Sequence, residues 1–216
     1  MTLDYVYSGD LNRRVALRPN TSDAQVFADT FTGLYHTPPA EMPVPATVLD
    51  LGANIGLTAA HYRALWPNAH IVAVEMDRAC ADLAIQNAPG VVVRCHAVSG
   101  RGLPGYYDPE LRAEAYRFSY GAREGFTATD SLTLHQTIRR AFPDGHCDFL
   151  KMDVEGAEWD IFAHDFWAAS VSHLLAELHG NADSDVLVAA AVETLDGLGF
   201  RTTRHTRHPQ AVWAVR

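Results

Sequence analysis

The chain has 216 residues, and its 17 Lys+Arg against 26 Asp+Glu disfavour nucleic acid as a partner, because phosphate binding needs a basic surface. We expect neither a membrane span nor a secretion signal, since the sequence has no apolar run of about 18 residues and no basic, apolar leader. Its 3 cysteines form no CxxC pair, which disfavours a disulfide framework and predicts a soluble, cytoplasmic protein.

Residues 1–45 are predicted to form an N-terminal helical cap and a connector. Residues that commonly cap helices precede apolar residues at helical spacing between Val26 and Tyr35. The segment 36–45 contains four prolines, which are incompatible with a helix or a central strand. This segment is therefore predicted to be a rigid connector that leads into the main domain.

Residues 46–216 are predicted to form one domain in which strands and helices alternate. Short apolar runs are followed by longer segments with helical periodicity, which is typical of βαβ units and of an α/β, doubly wound, mostly parallel sheet. The last two strands flank a His-Pro turn and are expected to pair antiparallel. The predicted strands are 47–52, 70–76, 91–98, 147–153, 171–179, 200–205 and 211–215, and the predicted helices are 57–66, 78–87, 131–142, 157–166 and 186–198.

The strongest local motif is Asp50-Leu-Gly-Ala-Asn-Ile-Gly56, which is followed by Glu75 at the end of the next strand. Glycines at a strand end let the backbone approach a ligand closely, and the later acid can accept hydrogen bonds from both hydroxyls of a ribose. A dinucleotide requires GxGxxG for its pyrophosphate, whereas the polar Asn54 stands here where close approach is needed. S-adenosylmethionine (SAM) has no phosphate, and its sulfonium cation suits an acidic cleft better. SAM is therefore the predicted cofactor, and a nicotinamide-dependent oxidoreductase is the less favoured alternative.

The chain resembles the FkbM family of SAM-dependent methyltransferases in four segments, Asp50–Gly56, Glu75, Leu150–Glu158 and Ala176–His179. This resemblance implies a class I methyltransferase (Rossmann-like) fold, with a seven-stranded sheet that ends in an antiparallel hairpin. It also implies O-methylation of a hydroxyl, mostly on sugars and secondary metabolites. The sequence departs from the family pattern at Met76, where proline usually follows the acid. The predicted cofactor-binding residues are Asp50, Gly52, Asn54, Gly56, Glu75, Met76 and Asp153.

Asp153, Glu177 and His179 are the candidate catalytic residues, because they end two consecutive predicted strands. Ligands of open α/β sheets lie at the carboxyl ends of the strands, so these side chains are expected to converge beside the methyl donor. Methyl transfer to an alcohol requires removal of its proton, a role open to His179 or to a carboxylate such as Glu155. Alternatively, Asp153, Glu177 and His179 hold Mg or Mn, which acidifies the hydroxyl.

Residues 99–130 interrupt the alternation with glycines and tyrosines, and are predicted to form an insert that binds the acceptor. Its aromatic and arginine side chains suit a small-molecule hydroxyl acceptor, with a saccharide as the main expectation and a polyketide or other secondary metabolite as the alternative. The remaining histidines, including His205 and His208, are expected at the surface. A homo-oligomer and a SAM-binding domain without catalysis both stay open.

Overall fold

The structure is a computed structural model that describes residues 2–108, 117–122 and 124–216. Strands and helices alternate over residues 47–95 and again over 134–204, as the α/β prediction requires, and short strands lie between these two ranges. The strands are β1 (Asp4–Ser8), β2 (Arg13–Leu17), β3 (Thr47–Leu51), β4 (His70–Glu75), β5 (Val92–Cys95), β6 (Ala97–Val98), β7 (Gly105–Tyr107), β8 (Thr127–Thr129), β9 (Ser131–Leu132), β10 (Cys147–Met152), β11 (Val171–Glu177), β12 (Arg201–Arg204) and β13 (Ala211–Val215). The helices are α1 (Asp23–Ala28), α2 (Leu57–Leu65), α3 (Arg78–Asn87), α4 (Leu134–Ala141), α5 (Glu158–Phe162) and α6 (Ser184–Gly197), with a π-helical turn at Asp29–Gly33 and a 3₁₀ helix at Asp165–Ser170.

Seven strands form the central sheet, in the order β12-β13-β11-β10-β3-β4-β5. Strands β3, β4, β5, β10 and β11 run parallel, and β13 lies antiparallel between β11 and β12. The predicted doubly wound, mostly parallel sheet with a C-terminal antiparallel hairpin is therefore confirmed. The strand order reverses between β3 and β10, and doubly wound sheets bind ligands at the carboxyl ends of the strands beside such a reversal.

The central strands are buried because helices cover both faces of the sheet. Val48, Leu49 and Leu51 of β3 are fully buried, as is Phe149 of β10. Leu49 and Leu51 belong to the largest core cluster, whereas Val48 packs with Phe149 and with Tyr62 of α2. This two-sided burial accounts for the nearly continuous apolar runs in the sequence. It also holds the carboxyl ends of the strands in fixed positions.

The N-terminal segment packs on the main domain through a hairpin that the sequence patterns do not predict. Strands β1 and β2 pair antiparallel, and Leu17 of β2 is buried with Ile55 and Leu83. Asn87 of α3 fixes the hairpin, because its side-chain amide donates to the Ala16 carbonyl (2.9 Å) and accepts from the Ala16 N–H (2.8 Å). Four of the five residues of β1 are exposed, so this strand lacks the alternation by which a half-buried strand is recognised.

Two predicted elements have different boundaries in the structure. The predicted strand 91–98 divides at His96, because β6 leaves the central sheet and pairs with β9. The predicted helix 131–142 begins after Thr133, which forms a reciprocal capping box with Gln136. Long-range pairing and local capping therefore set boundaries that periodicity alone does not reveal.

The predicted insert 99–130 contributes the small antiparallel pair β7 and β8. Residues 109–116 and 123 of this insert lie outside the described residues. The predicted domain boundary after residue 45 and the assignment of the insert to the acceptor stay predictions. None of the helices in the described ranges has both the length and the hydropathy needed to cross a bilayer.

Candidate active site

A cleft of about 660 Å³ opens at the carboxyl ends of the central strands, beside the reversal of strand order. One wall is lined by residues that follow β3 and β4, including Gly52 and Glu75. The opposite wall is lined by residues that follow β10 and β11, including Asp153 and His179. The cleft therefore brings together the two groups of residues that stand out in the sequence.

The turn after β3 is built from left-handed backbone. Gly52, Asn54 and Gly56 have φ angles of +71°, +47° and +81°, a region that glycine adopts without steric cost. A Cβ at Gly52 would collide with the backbone carbonyl oxygen of Asp153, and a Cβ at Gly56 would lie 2.8 Å from Ala84 of α3. Gly52 and Asn54 line the cleft, whereas Gly56 does not. Gly56 permits close packing of α2 on α3, and its predicted contact with the cofactor stays a prediction.

Glu75 ties the end of β4 to this turn. Its Oε2 accepts a hydrogen bond from the backbone N–H of Asn54 (2.8 Å), and its Oε1 accepts from the N–H of Asp77 (2.8 Å). Burial raises the pKa of this carboxyl to about 7, while the backbone hydrogen bonds act in the opposite direction and favour the charged form. Glu75 and Met76 both line the cleft, on the same wall as Gly52.

A buried ion pair lies beneath the glycine turn. The Lys151 ammonium is 3.5 Å from Asp50 Oδ1 and 3.1 Å from Asp153 Oδ2, and it donates to the Gly52 carbonyl (3.2 Å). Burial acts to lower the pKa of Lys151, but the charges of Asp153 and Asp50 raise it overall. Asp50 is fully buried and is absent from the lining of the cleft, and its predicted contact with the cofactor stays a prediction. It holds Lys151 in place.

His179 lies at the centre of an acidic cluster at the ends of β10 and β11. Its Nδ1 is 3.1 Å from Glu158 Oε1, and its Nε2 is 3.5 Å from Glu155 Oε2. Nε2 is also 3.8 Å from Asp153 Oδ1 and 3.8 Å from Glu177 Oε1. The structure therefore brings the three candidate catalytic residues together, because β10 and β11 are neighbours in the sheet.

Glu158 sets the orientation and the tautomer of His179, a role that the sequence interpretation missed. This carboxylate is fully buried, and it accepts hydrogen bonds from the N–H groups of Val154 (3.0 Å) and Gly156 (2.9 Å). Because an ionised carboxylate only accepts, the His179 Nδ1 that faces it must carry a proton. When the ring is neutral, Nε2 therefore presents a free lone pair.

Crowding of carboxylates shifts the pKa values of this cluster. Burial raises the pKa of Glu177 well above its usual range, and the charge of Asp153 acts in the same direction. Burial likewise raises the pKa of Glu155 to about 7. For His179, burial acts to lower the pKa, but the hydrogen bond and charge of Glu158, together with Asp153 and Glu155, raise it to about 9. A cation that enters the cleft lowers this pKa, because like charges disfavour the protonated ring.

The same cluster also has the composition of a cation site. One ligand atom from each of Asp153, Glu177 and His179 lies within 4.8 Å of the other two. Carboxylate oxygens with one imidazole nitrogen suit Mg²⁺ or Mn²⁺. Glu158 would then be the outer carboxylate that orients a ligating histidine. The geometry fits a proton acceptor and a cation site equally well.

The family model described as Methyltransferase FkbM domain matches residues 50–202. The chain belongs to the FkbM methyltransferase family. This FkbM chain is 29% identical over 158 residues to the methyltransferase sdnD of Sordaria araneosa. The alignment covers 56% of this chain and 61% of sdnD, so the chain spans less than two thirds of the length of that relative.

Solved structures confirm that the FkbM chain has the class I methyltransferase fold. The Methanococcus jannaschii fibrillarin, a pre-rRNA processing protein, superposes with a TM-score of 0.52 at 12% identity, over 99% of this chain and 81% of that one. A Nostoc punctiforme protein, described as a candidate O-methyltransferase, superposes with a TM-score of 0.52 at 13% identity, over 90% of this chain and 58% of that one. At these identities the similarity concerns the fold alone.

Part of the cleft wall lies outside the residues that the FkbM model matches. Tyr35 of the N-terminal segment and His208 of the β12–β13 turn line the cleft near Glu177. Their ring centroids are 5.4 Å apart, and His208 Nε2 is 3.5 Å from Glu177 Oε1. The prediction of a surface position is wrong for His205, which is only 5% exposed, whereas His208 is half-buried, with 26% of its side chain exposed.

Proposed function

We propose that this FkbM chain is a SAM-dependent O-methyltransferase that acts on a hydroxyl of a small molecule. The observation that carries the proposal is the placement of two complementary walls around one cleft. The glycine turn and Glu75 form a wall with the chemistry of a nucleoside site, and His179 on the opposite wall offers a proton acceptor among carboxylates.

The wall after β3 and β4 suits SAM. The left-handed turn at Gly52 leaves no side chain between the backbone and a ligand, and the Glu75 carboxylate provides acceptors for ribose hydroxyls. The nearby carboxylate of Asp153 favours a sulfonium cation. A dinucleotide is less well suited, because its pyrophosphate needs a GxGxxG turn and the polar Asn54 stands where close approach is needed.

The wall after β10 and β11 suits removal of the acceptor's proton. SAM, when bound, supplies an electrophilic methyl group, and the acceptor oxygen must lose its proton as it is methylated. His179 receives this proton at Nε2, because its Nδ1 already carries a proton that it donates to Glu158. The charge of a bound sulfonium lowers the pKa of His179 from about 9 and so favours the neutral ring. Asp153 and Glu177, each 3.8 Å from Nε2, stabilise the imidazolium that results.

A divalent cation held by Asp153, Glu177 and His179 is the second candidate route, favoured by the convergence of their ligand atoms within 4.8 Å. The cation would acidify the acceptor hydroxyl. In this arrangement Nε2 of His179 is a ligand and does not accept a proton, so the two routes exclude each other.

The acceptor side of the cleft has the polar character that a saccharide requires. Amide, carboxylate, phenol, imidazole and guanidinium groups bond several hydroxyls at once, and aromatic rings pack on the apolar face of a sugar. A saccharide is therefore the proposed acceptor, with a polyketide as the alternative. Phe118 is the lining residue from the described part of the 99–130 insert. The lining residues from the N-terminal segment and the β12–β13 turn include Gln25, Asp29, Tyr35, Arg207 and His208.

Calorimetric titration of the full chain with SAM, S-adenosylhomocysteine (SAH) and NAD tests the cofactor. We expect SAM and SAH to bind and NAD to give no heat, whereas binding of NAD alone would contradict the proposal. Incubation with SAM and a panel of glycosides and polyketides, followed by mass spectrometry, tests transfer through the gain of one methyl group. Activity abolished by EDTA and restored by Mg²⁺ or Mn²⁺ would select the cation route, and indifference to EDTA would select His179 as the base.

A further inference from the structure

Next to Glu75 the cleft is lined by apolar side chains, and we call this part of the cleft the apolar slot. This slot lies where a purine base would follow a ribose held by Glu75, and its apolar side chains suit the faces of a flat ring. His96, at the break between β5 and β6, also lines the cleft here and adds a polar side chain. The apolar residues that line this end of the cleft are Leu51, Val74, Met76, Ala97 and Val98.

Two backbone donors next to this slot are already bonded within the protein. The N–H of His96 donates to the Glu75 carbonyl (3.1 Å), and the N–H of Ala97 donates to the Asp130 carbonyl (2.8 Å). A buried amino group without a hydrogen bond is unfavourable. These two N–H groups are donors, so neither can bond a purine amino group, which needs an acceptor such as an imidazole lone pair.

The imidazole of His96 is held in one tautomer. Its Nδ1 is 2.9 Å from the Ala97 carbonyl oxygen, and a carbonyl only accepts, so Nδ1 carries the proton. Nε2 of the neutral ring is then an acceptor. Burial lowers the pKa of His96 overall, although the hydrogen bond to the Ala97 carbonyl acts in the opposite direction, and the lowered pKa favours the neutral ring.

We propose that Nε2 of His96 accepts a hydrogen bond from the 6-amino group of the cofactor's adenine and makes the cleft selective for 6-amino over 6-oxo purines. The inference rests on the proposed binding of SAM and assigns a base-reading residue to it. The adenine amino group is a donor that matches the lone pair of Nε2. A 6-oxo purine would place an acceptor oxygen against the same lone pair, which is repulsive.

S-inosylhomocysteine, the 6-oxo analogue of SAH, tests this selectivity by calorimetry on the full chain. We expect the wild type to bind SAH at least about tenfold more tightly than S-inosylhomocysteine. The His96→Phe variant retains a ring but removes both nitrogens, and the ratio of the two Kd values should fall to within about threefold. If the His96→Phe variant does not fold, the His96→Ala variant serves to measure the same ratio of Kd values.

Met76→Ala is the matched control, because it removes an apolar contact from the slot without altering its polar group. It should weaken both ligands by a similar factor and leave the wild-type ratio unchanged. No preference in the wild type, or an unchanged ratio in both His96 variants, would overturn the inference while SAH binding still supports the proposed function. Failure of the wild type to bind SAH at all would overturn the proposed function and this inference with it.

Discussion

The two walls of the cleft are built in different ways. The wall after β3 and β4 is shaped by backbone, with left-handed residues at Gly52 and Asn54 and a Glu75 carboxylate that receives two N–H groups. The wall after β10 and β11 consists of ionisable side chains gathered around His179. The backbone-built wall contains one carboxyl with a raised pKa, Glu75, whereas the side-chain wall contains several groups with raised pKa values. Cofactor binding and proton transfer are therefore separable by mutation.

The largest effect on the backbone-built wall, in both stability and SAM binding, is expected from substitution of Gly52. Gly52→Ala introduces a Cβ that collides with the Asp153 carbonyl at a φ of +71°, so we expect a destabilisation of about 3 kcal/mol or more and loss of SAM binding. Thermal unfolding and calorimetry measure both effects. Gly125→Ala is the matched control, because Gly125 has a φ of +83° but no atom near its Cβ. It should cost only about 1–2 kcal/mol, and equal losses at both positions would show that the collision is unimportant.

Substitution in the side-chain wall should lower kcat and leave the affinity for SAM nearly unchanged. His179→Ala should lower kcat by about 10²–10⁴-fold and leave the Kd for SAM within about threefold, because it removes a proton acceptor and leaves the glycine turn intact. Steady-state kinetics and calorimetry measure the two quantities. His173→Ala is the control, since His173 lies within β11, the strand that His179 follows, and bonds the Asp148 carbonyl. Near-normal turnover in His179→Ala would place the base elsewhere.

The converse result is expected at Glu75. Glu75→Ala removes the predicted acceptor of the ribose hydroxyls and should weaken SAM binding by about tenfold or more, since hydrogen bonds to charged groups contribute about 1.5–3 kcal/mol. Its kcat at saturating SAM should change far less. Asp82→Asn, which alters an exposed carboxylate paired with Arg78, should leave the affinity unchanged. Unaltered SAM affinity in Glu75→Ala would remove the basis for the cofactor assignment.

The two walls should also differ in their dependence on pH. The pKa of His179 is raised on folding to about 9, so its stabilising contribution is complete below the unfolded value of about 6.5 and is lost as pH rises through 9. The Tm of the ligand-free chain should therefore fall by a few degrees between pH 6.5 and 9. His179→Gln should flatten this decline above pH 8, whereas Glu75→Gln should flatten only its lower part, because the pKa of Glu75 is about 7. Equal slopes in the wild type and His179→Gln would show that His179 titrates normally.

The smallest effect is expected at Asn54. Its backbone N–H bonds Glu75, and its φ of +47° is one that glycine adopts more easily. Asn54→Gly should therefore alter the Kd for SAM by less than about threefold and stability by less than about 1 kcal/mol. A tenfold loss of affinity would mean that the Asn54 side chain itself contacts the cofactor.

The fold and the positions of both walls were predictable from the sequence because they depend on local patterns. A glycine turn and Glu75 occur within one βαβ unit, and the ends of two neighbouring strands bring Asp153 and His179 together. The position of Tyr35 was not predictable, because it depends on how the N-terminal segment crosses the cleft. His208 lies in a turn whose path is set by the antiparallel pairing of β12 and β13, which no short motif records.

The burial of Asp50, like the positions of Tyr35 and His208, depends on tertiary structure and was not predictable from the sequence. Its place in the glycine motif indicates a ligand contact, but the sheet covers its carboxylate and leaves Lys151 as its partner. The tautomers of His96 and His179 likewise depend on partners that come from folding, namely a strand-end carbonyl and a buried carboxylate.

The ion pair beneath the glycine turn offers a chemical probe of local opening at the floor of the cleft. Lys151 is the single lysine in the sequence, and its side chain is only 3% exposed. Lys151 lines the floor of the cleft and its ammonium is held by Asp50 and Asp153, so the rate of lysine acylation measures how often this ion pair opens toward the cleft. A ligand bound on the turn stabilises the closed form and slows the reaction.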